Sequence, residues 1–255
     1  MPRCVPASIG FPPPLLGRSP VRLPVLAARD GVFALEKPAA IAWEGPAGVE
    51  GAVRSQLAAG KTELVAIAPT RSAVSVWPLE ADMAGIGLFV PHGEEFARWR
   101  NAYGSALIRF TYAFLAVADA GIDDVFTCAA PITGRKSATL FRRMERAARW
   151  TWWEAETDYP RFQQIRKHAA MSGLRIVGET SPDAEDAVLT LEMLLPRKRL
   201  NKGIARPLID GICLRLACVD CSRAKINAWG AIRAPLPPKW EVLRKRLAAA
   251  SVLAG

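Results

Sequence analysis

Trp77-Pro78-Leu79-Glu80-Ala81-Asp82-Met83-Ala84-Gly85-Ile86-Gly87-Leu88-Phe89-Val90 is the stretch on which the reading of this chain turns. Taken alone it is the end of a strand over residues 74–77, a turn carrying two carboxylates, and an apolar strand over residues 87–90. Its meaning depends on what surrounds it.

The chain has 255 residues, with 34 Lys and Arg against 24 Asp and Glu, a formal net charge of +10 and an isoelectric point near 9.8. That length allows one large domain or two small ones, each with a full core and no need of metals or disulfides. An apolar fraction of 51% beside 23% charged residues excludes a disordered chain. No apolar run approaches the roughly 20 residues of a membrane span. The best of them, residues 110–118, is bracketed by Arg109 and Asp119. A soluble protein with no membrane partner is expected, and its positive charge suits a polyanion such as nucleic acid.

Five cysteines, Cys4, Cys128, Cys213, Cys218 and Cys221, are too scattered and odd in number for a disulfide framework. Cys218-Val219-Asp220-Cys221 has the spacing of a zinc or dithiol motif. Zinc needs two further ligands, and His92 and His168 are the only histidines. The pair falls in a strand-like run rather than at a helix N-terminus, so both read as ordinary strand cysteines and no metal is expected. Phe11-Pro12-Pro13-Pro14 interrupts any apolar leader, so no signal peptide is read and a reducing cytoplasm is the expected location.

Residues 1–24 contain Pro2, Pro6, Pro12, Pro13, Pro14, Pro20 and Pro24 and no acid. They read as a Pro-rich extension, a tail or an extended strap, with residues 25–255 forming a single domain. Residues 25–28 and 32–35 read as strands around an Asp30-Gly31 turn. Further strands are expected over residues 64–68, 109–117, 150–157, 175–177, 188–194 and 212–219. Helices are expected over residues 50–59, 94–103, 163–172 (ended by Gly173) and 239–249. Residues 139–149 are amphipathic and very basic; Arg142, Arg143, Arg146 and Arg149 ahead of Trp150, Trp152 and Trp153 suit phosphates and unpaired bases, or form a solvated helix face ahead of a core strand. Strands and helices mix without regular alternation, which argues for an α+β (mixed α/β) fold.

Three further pieces give the opening stretch its context: Glu36-Lys37-Pro38, Phe110-Thr111-Tyr112, and Arg161-Phe162-Gln163-Gln164-Ile165-Arg166-Lys167-His168. In this order the chain resembles the RluA-like, large-subunit ribosomal type of the RNA pseudouridine synthase family. That family has a Lys-Pro after its first hairpin, matched by Lys37-Pro38. Its loop His-Arg-Leu-Asp, two residues, Thr-Ser-Gly corresponds to Trp77 through Gly85. Its basic-x-Tyr strand corresponds to Phe110-Thr111-Tyr112, without the basic residue. Gly-Arg-Thr-His-Gln-Ile-Arg-x-His corresponds to Pro160 through His168, and Ile176-Val177-Gly178-Glu179 stands for Ile-Val-Gly-Asp. The resemblance runs from about Val25 to Trp240 and leaves no room for the S4-type module of many relatives.

The resemblance implies a mixed, mainly antiparallel sheet flanked by helices, with a central cleft. It implies isomerisation of uridine in structured rRNA or tRNA, by a monomer that needs no cofactor. The catalytic residues it implies are Glu80 as nucleophile, Arg166 as the cation that keeps the acid ionised, and Tyr112 as aromatic wall and proton-handling group. The family's nucleophile is aspartate, and one extra methylene moves the carboxylate by roughly 1.5 Å. Shifts of about 1 Å can cost on the order of a hundredfold in rate. Pro78 replaces the arginine that fills the space of the extruded base, and Met83-Ala84 replaces two hydroxyls. The other reading is therefore a synthase homologue that binds RNA without turnover.

RNA-binding candidates are Lys37, Trp77 (a base-stacking substitute or a core residue), Arg135, Lys136 and Arg161. Arg197, Lys198 and Arg199 form a second basic loop with Lys202 and Arg206. Trp150, Trp152 and Trp153 read as core rather than stacking residues, and His168 as a packed residue rather than a ligand or base.

Overall fold

The computed structural model describes residues 5–147, 149–180, 189, 190, 208 and 211–252. Among them are twelve strands and five α-helices in a mixed, mainly antiparallel α+β arrangement, the fold class expected. The chain forms two compact units, residues 1–110 with 216–234 and residues 111–215 with 235–255. Two of its passages between them lie inside strands, which is why no linker shows in the sequence.

In the first unit, β1 (Ser8–Phe11) pairs antiparallel with β2 (Val21–Arg29), Ser8 opposite Pro24. Ile9, Phe11 and Leu23 are buried, so the Pro-rich segment is a strap knitted into the sheet. The boundary expected at residue 25 falls inside β2. Pro24 is tolerated there because pairing with β3 (Val32–Lys37) begins only at Val25 opposite Leu35. Asp30 (φ 53°) and Gly31 (φ 81°) are both left-handed, the geometry of a two-residue hairpin turn. β4 (Val74–Ser75) and β3 both pair with β5 (Ala84–Val90), Lys37 standing opposite Gly85. β11 (Leu214–Asp220) lies beyond β5 and carries β12 (Ala231–Arg233). A Cβ at Gly85 would lie 2.6 Å from the Leu216 Cβ, and one at Gly87 2.0 Å from the Trp43 ring. Both glycines are therefore required by close approach.

Helices α1 (Val49–Ala58), α2 (Thr62–Ile67) and α3 (Glu94–Gly104) complete this unit. Residues 64–68, expected as a strand, belong mostly to α2. A five-residue apolar run carries too little period to distinguish the two. Here Leu64 and Ile67, three apart, are buried together and the Val65 and Ala68 amides close helical bonds to Lys61 and Leu64. Cys218 on β11 and Cys221 just beyond it are buried. Burial pushes the Cys221 thiol up to about 12, with the Asp220 charge acting in the same direction. A buried thiol kept protonated is a poor nucleophile. Among the described residues no cluster of His, Cys, Asp and Glu is placed to hold a metal, and no helix is long and apolar enough to cross a membrane.

The second unit carries most of β6 (Arg109–Ala118), then β9 (Trp150–Thr157), β8 (Thr139–Ala147) and β7 (Val125–Cys128) in that order, with β10 (Leu174–Ile176) on β6. Its helices are α4 (Gln164–Met171) and α5 (Pro238–Val252). The basic stretch 139–149, expected as a helix, is strand over most of its length. Thr139 and Phe141 point inward while Arg142 is exposed, and the ladder sets Arg142 opposite Glu154 and Arg143 opposite Trp153. The Arg143 guanidinium lies 5.6 Å from the Trp153 ring centre, so its charge is matched across the strands. Trp150 and Trp152 are core, packed with Leu115, Val117 and Trp240, and Trp153 is buried as well. The strand expected over residues 188–194 lies outside the described residues.

Candidate functional site

In the first unit, residues 78–83 connect Trp77 to β5. Leu79 and Met83 are buried at the two ends of this loop, and Glu80 and Asp82 between them are half-buried. Met83, where the resemblance leads one to expect a hydroxyl, is thus an apolar peg. Trp77 is buried, donates its indole N–H to the Ile86 carbonyl (3.0 Å), and meets Phe110 edge-on at 5.0 Å. It is a core residue, and base stacking is closed to it.

Lys37 is fully buried at the end of β3. Its Nζ donates to the carbonyls of Pro38 (2.9 Å), Ile41 (2.8 Å) and Ala81 (2.9 Å). An ammonium has three N–H donors and no acceptor, so every one is engaged. Burial pulls its pKa down to about 8, while the Asp82 carboxylate pulls the other way. Of the two roles open to Lys37, scaffold or RNA contact, its burial leaves the scaffold: it ties the loop between Glu80 and Asp82 to the chain after β3. A lone lysine ending a strand looks like a surface charge in sequence, and only its burial reveals this.

In the second unit, Tyr112 is buried on β6. Arg166, in the first turn of α4, is held bidentately by Glu179: Nε donates to Oε2 at 2.6 Å, and Nη2 donates to Oε1. Both side chains are mostly buried, and Oε1 also accepts from the Thr180 amide at 2.9 Å. Glu179 is the partner of Arg166 that sequence reasoning missed. It stood in the motif Ile176-Val177-Gly178-Glu179 without a role, although an acid near a motif arginine is the available signal.

The start of α4 is fastened by a buried polar network. Gln164 Nε2 donates to the Ala138 carbonyl (2.9 Å), Thr139 Oγ1 (3.0 Å) and Thr157 Oγ1 (3.2 Å). His168 Nε2 sits 2.8 Å from the Ala130 carbonyl and Nδ1 2.8 Å from Thr139 Oγ1. A carbonyl can only accept, so Nε2 carries a proton. His168 is a packed, hydrogen-bonded residue, as read from the sequence.

Arg161 donates from Nε (3.2 Å) and Nη2 (3.0 Å) to the Lys136 carbonyl, which brings two of the basic candidates together. Arg135 and Lys136 are exposed beside a tight turn with Thr133 at φ 51° and Gly134 at φ 72°. Arg197, Lys198 and Arg199 lie outside the described residues.

No family profile matches this sequence, and no curated protein matches it. Solved structures do. The chain superposes on Human RNA Pseudouridylate Synthase Domain Containing 4 with a TM-score of 0.67, 11% identity, 88% of this chain and 92% of that one covered. Human RNA Pseudouridylate Synthase Domain Containing 1 follows with a TM-score of 0.59, 11% identity and 84% of each chain covered. The fold is that of the pseudouridine synthases. At such low identity the likeness speaks for the pseudouridine synthase fold, which the motif order had implied.

Proposed function

We propose that this protein is an RNA pseudouridine synthase, acting as a cytoplasmic monomer on structured rRNA or tRNA. The reaction breaks the N1–C1′ bond of a uridine and joins C1′ to C5. The C5 proton is lost and N1 gains one, so product and substrate are isomers. In this reading Glu80 is the carboxylate, Tyr112 handles the C5 proton, and Arg166, itself held bidentately by Glu179, is the cation the family's motif supplies. The observation that carries the reading is a buried cation, Lys37, used to fix the loop of Glu80 within a pseudouridine synthase fold.

A second reading, RNA binding without turnover, is favoured by Glu80 itself, by Pro78, and by Met83 sitting in the core. Chemical mapping of pseudouridine in rRNA and tRNA incubated with the protein separates the two. The synthase reading expects conversion by the wild type and none by Glu80→Ala. Conversion by Glu80→Asp with none by the wild type would leave only the binding reading.

A further inference from the structure

Phe162 is 72% exposed, the most of any large hydrophobic side chain among the described residues. A lone exposed aromatic is ordinary, but this one is presented rigidly. The Arg161 amide donates to Gln164 Oε1 at 3.1 Å, and the Gln164 amide returns a bond to the Arg161 carbonyl at 3.0 Å. Gln163 is left-handed at φ 56°, and the Gln164 side chain is locked in the buried network. The loop bearing Phe162 is thus tied on both sides, and its ring stands in solvent without the entropy cost of a floppy segment.

Its surroundings are cationic and aromatic. Tyr159 is 36% exposed, with the Arg161 guanidinium 5.3 Å from its ring centre. Arg161 in turn reaches Lys136, beside exposed Arg135. A rigid ring beside point charges matches an unpaired nucleotide, whose base offers a flat face and whose phosphate offers the complementary charge. Paired bases present no free face. We infer that Phe162 is a stacking platform for an unpaired base of the bound RNA, with Arg135 and Lys136 taking the adjoining phosphates. This rests on the RNA-binding reading above and adds where, and in which strand state, the RNA is held.

The test titrates the full chain with a short unstructured RNA, the same RNA annealed to its complement, and the same RNA carrying an abasic site. Phe162→Ala should weaken single-strand binding about tenfold and leave duplex binding unchanged, while Phe162→Trp retains affinity. The abasic site should weaken the wild type but not Phe162→Ala. Equal single-strand affinity of Phe162→Ala and wild type, or equal loss for single strand and duplex, would overturn the platform while RNA binding stands. A wild type without affinity for any of these RNAs would remove the RNA reading and the platform together. Phospholipid-vesicle binding lost in Phe162→Ala would assign the patch to a membrane instead.

Discussion

The loop at residues 78–83 and the start of α4 are held in place by different chemistry. The loop is tied in part through main chain, by a buried ammonium on the carbonyls of Pro38, Ile41 and Ala81, beside the buried side chains of Leu79 and Met83. The start of α4 is tied through side chains, with Gln164, Thr139, Thr157 and His168 bonded to one another. A main-chain tie at Ala81 is indifferent to the side chains of Pro78 and Glu80, so these two can differ from the family pattern while the loop keeps that anchor. A side-chain network fixes identity, because each replaced member strands a buried partner. This is the segment where Gln164, Ile165, Arg166 and His168 match the family residue for residue.

The largest effect expected is on the entry to the loop. Trp77→Ala should destabilise the protein by about 4 kcal/mol in urea unfolding; an unchanged midpoint would return Trp77 to the surface and to base stacking. Lys37→Met should cost about 3 kcal/mol by stranding buried carbonyls. Its pH dependence sharpens the point. With the folded pKa near 8 and the unfolded value near 10.5, the unfolded chain binds more protons between them. Wild-type stability should therefore rise with pH across that window relative to Lys37→Met, each unit of the shift being worth about 1.4 kcal/mol. A flat difference would mean that Lys37 is not buried as an ammonium.

On the other side of the comparison, Gln164→Leu should cost about 2 kcal/mol, and a Gln164/His168 double-mutant cycle should show coupling through Thr139; strict additivity would dissolve the network. Glu80→Asp should change stability by less than about 0.5 kcal/mol, whatever it does to turnover. A large loss there would break the contrast, because it would show the loop to be held by its side chains.

Periodicity recovered most strands, the Asp30-Gly31 hairpin and the Gly173 helix end, since each rests on local chemistry. It misassigned residues 64–68 and 139–149. The first run is too short to show a period. The second alternates with period two, but the Arg143 charge is held by Asp124 and the Trp153 ring, both distant in sequence. Motif order singles out Lys37, Glu80, Tyr112 and Arg166, but not what they do for the fold. Sequence leaves Lys37 between scaffold and RNA contact, which only burial decides, and gives Glu179 no role, which only its pairing with Arg166 supplies.

By itself the sequence determined the fold class, the strand and helix inventory around the motifs, and the excess positive charge. These follow from residue type and short-range spacing, which act before the chain is folded. Tertiary structure alone decided that Lys37 and Trp77 are buried supports, that Arg166 is bound by Glu179, and that Phe162 stands exposed on a loop tied to Gln164. Burial and ion pairing depend on which distant segments come together, and no local pattern in the chain encodes that.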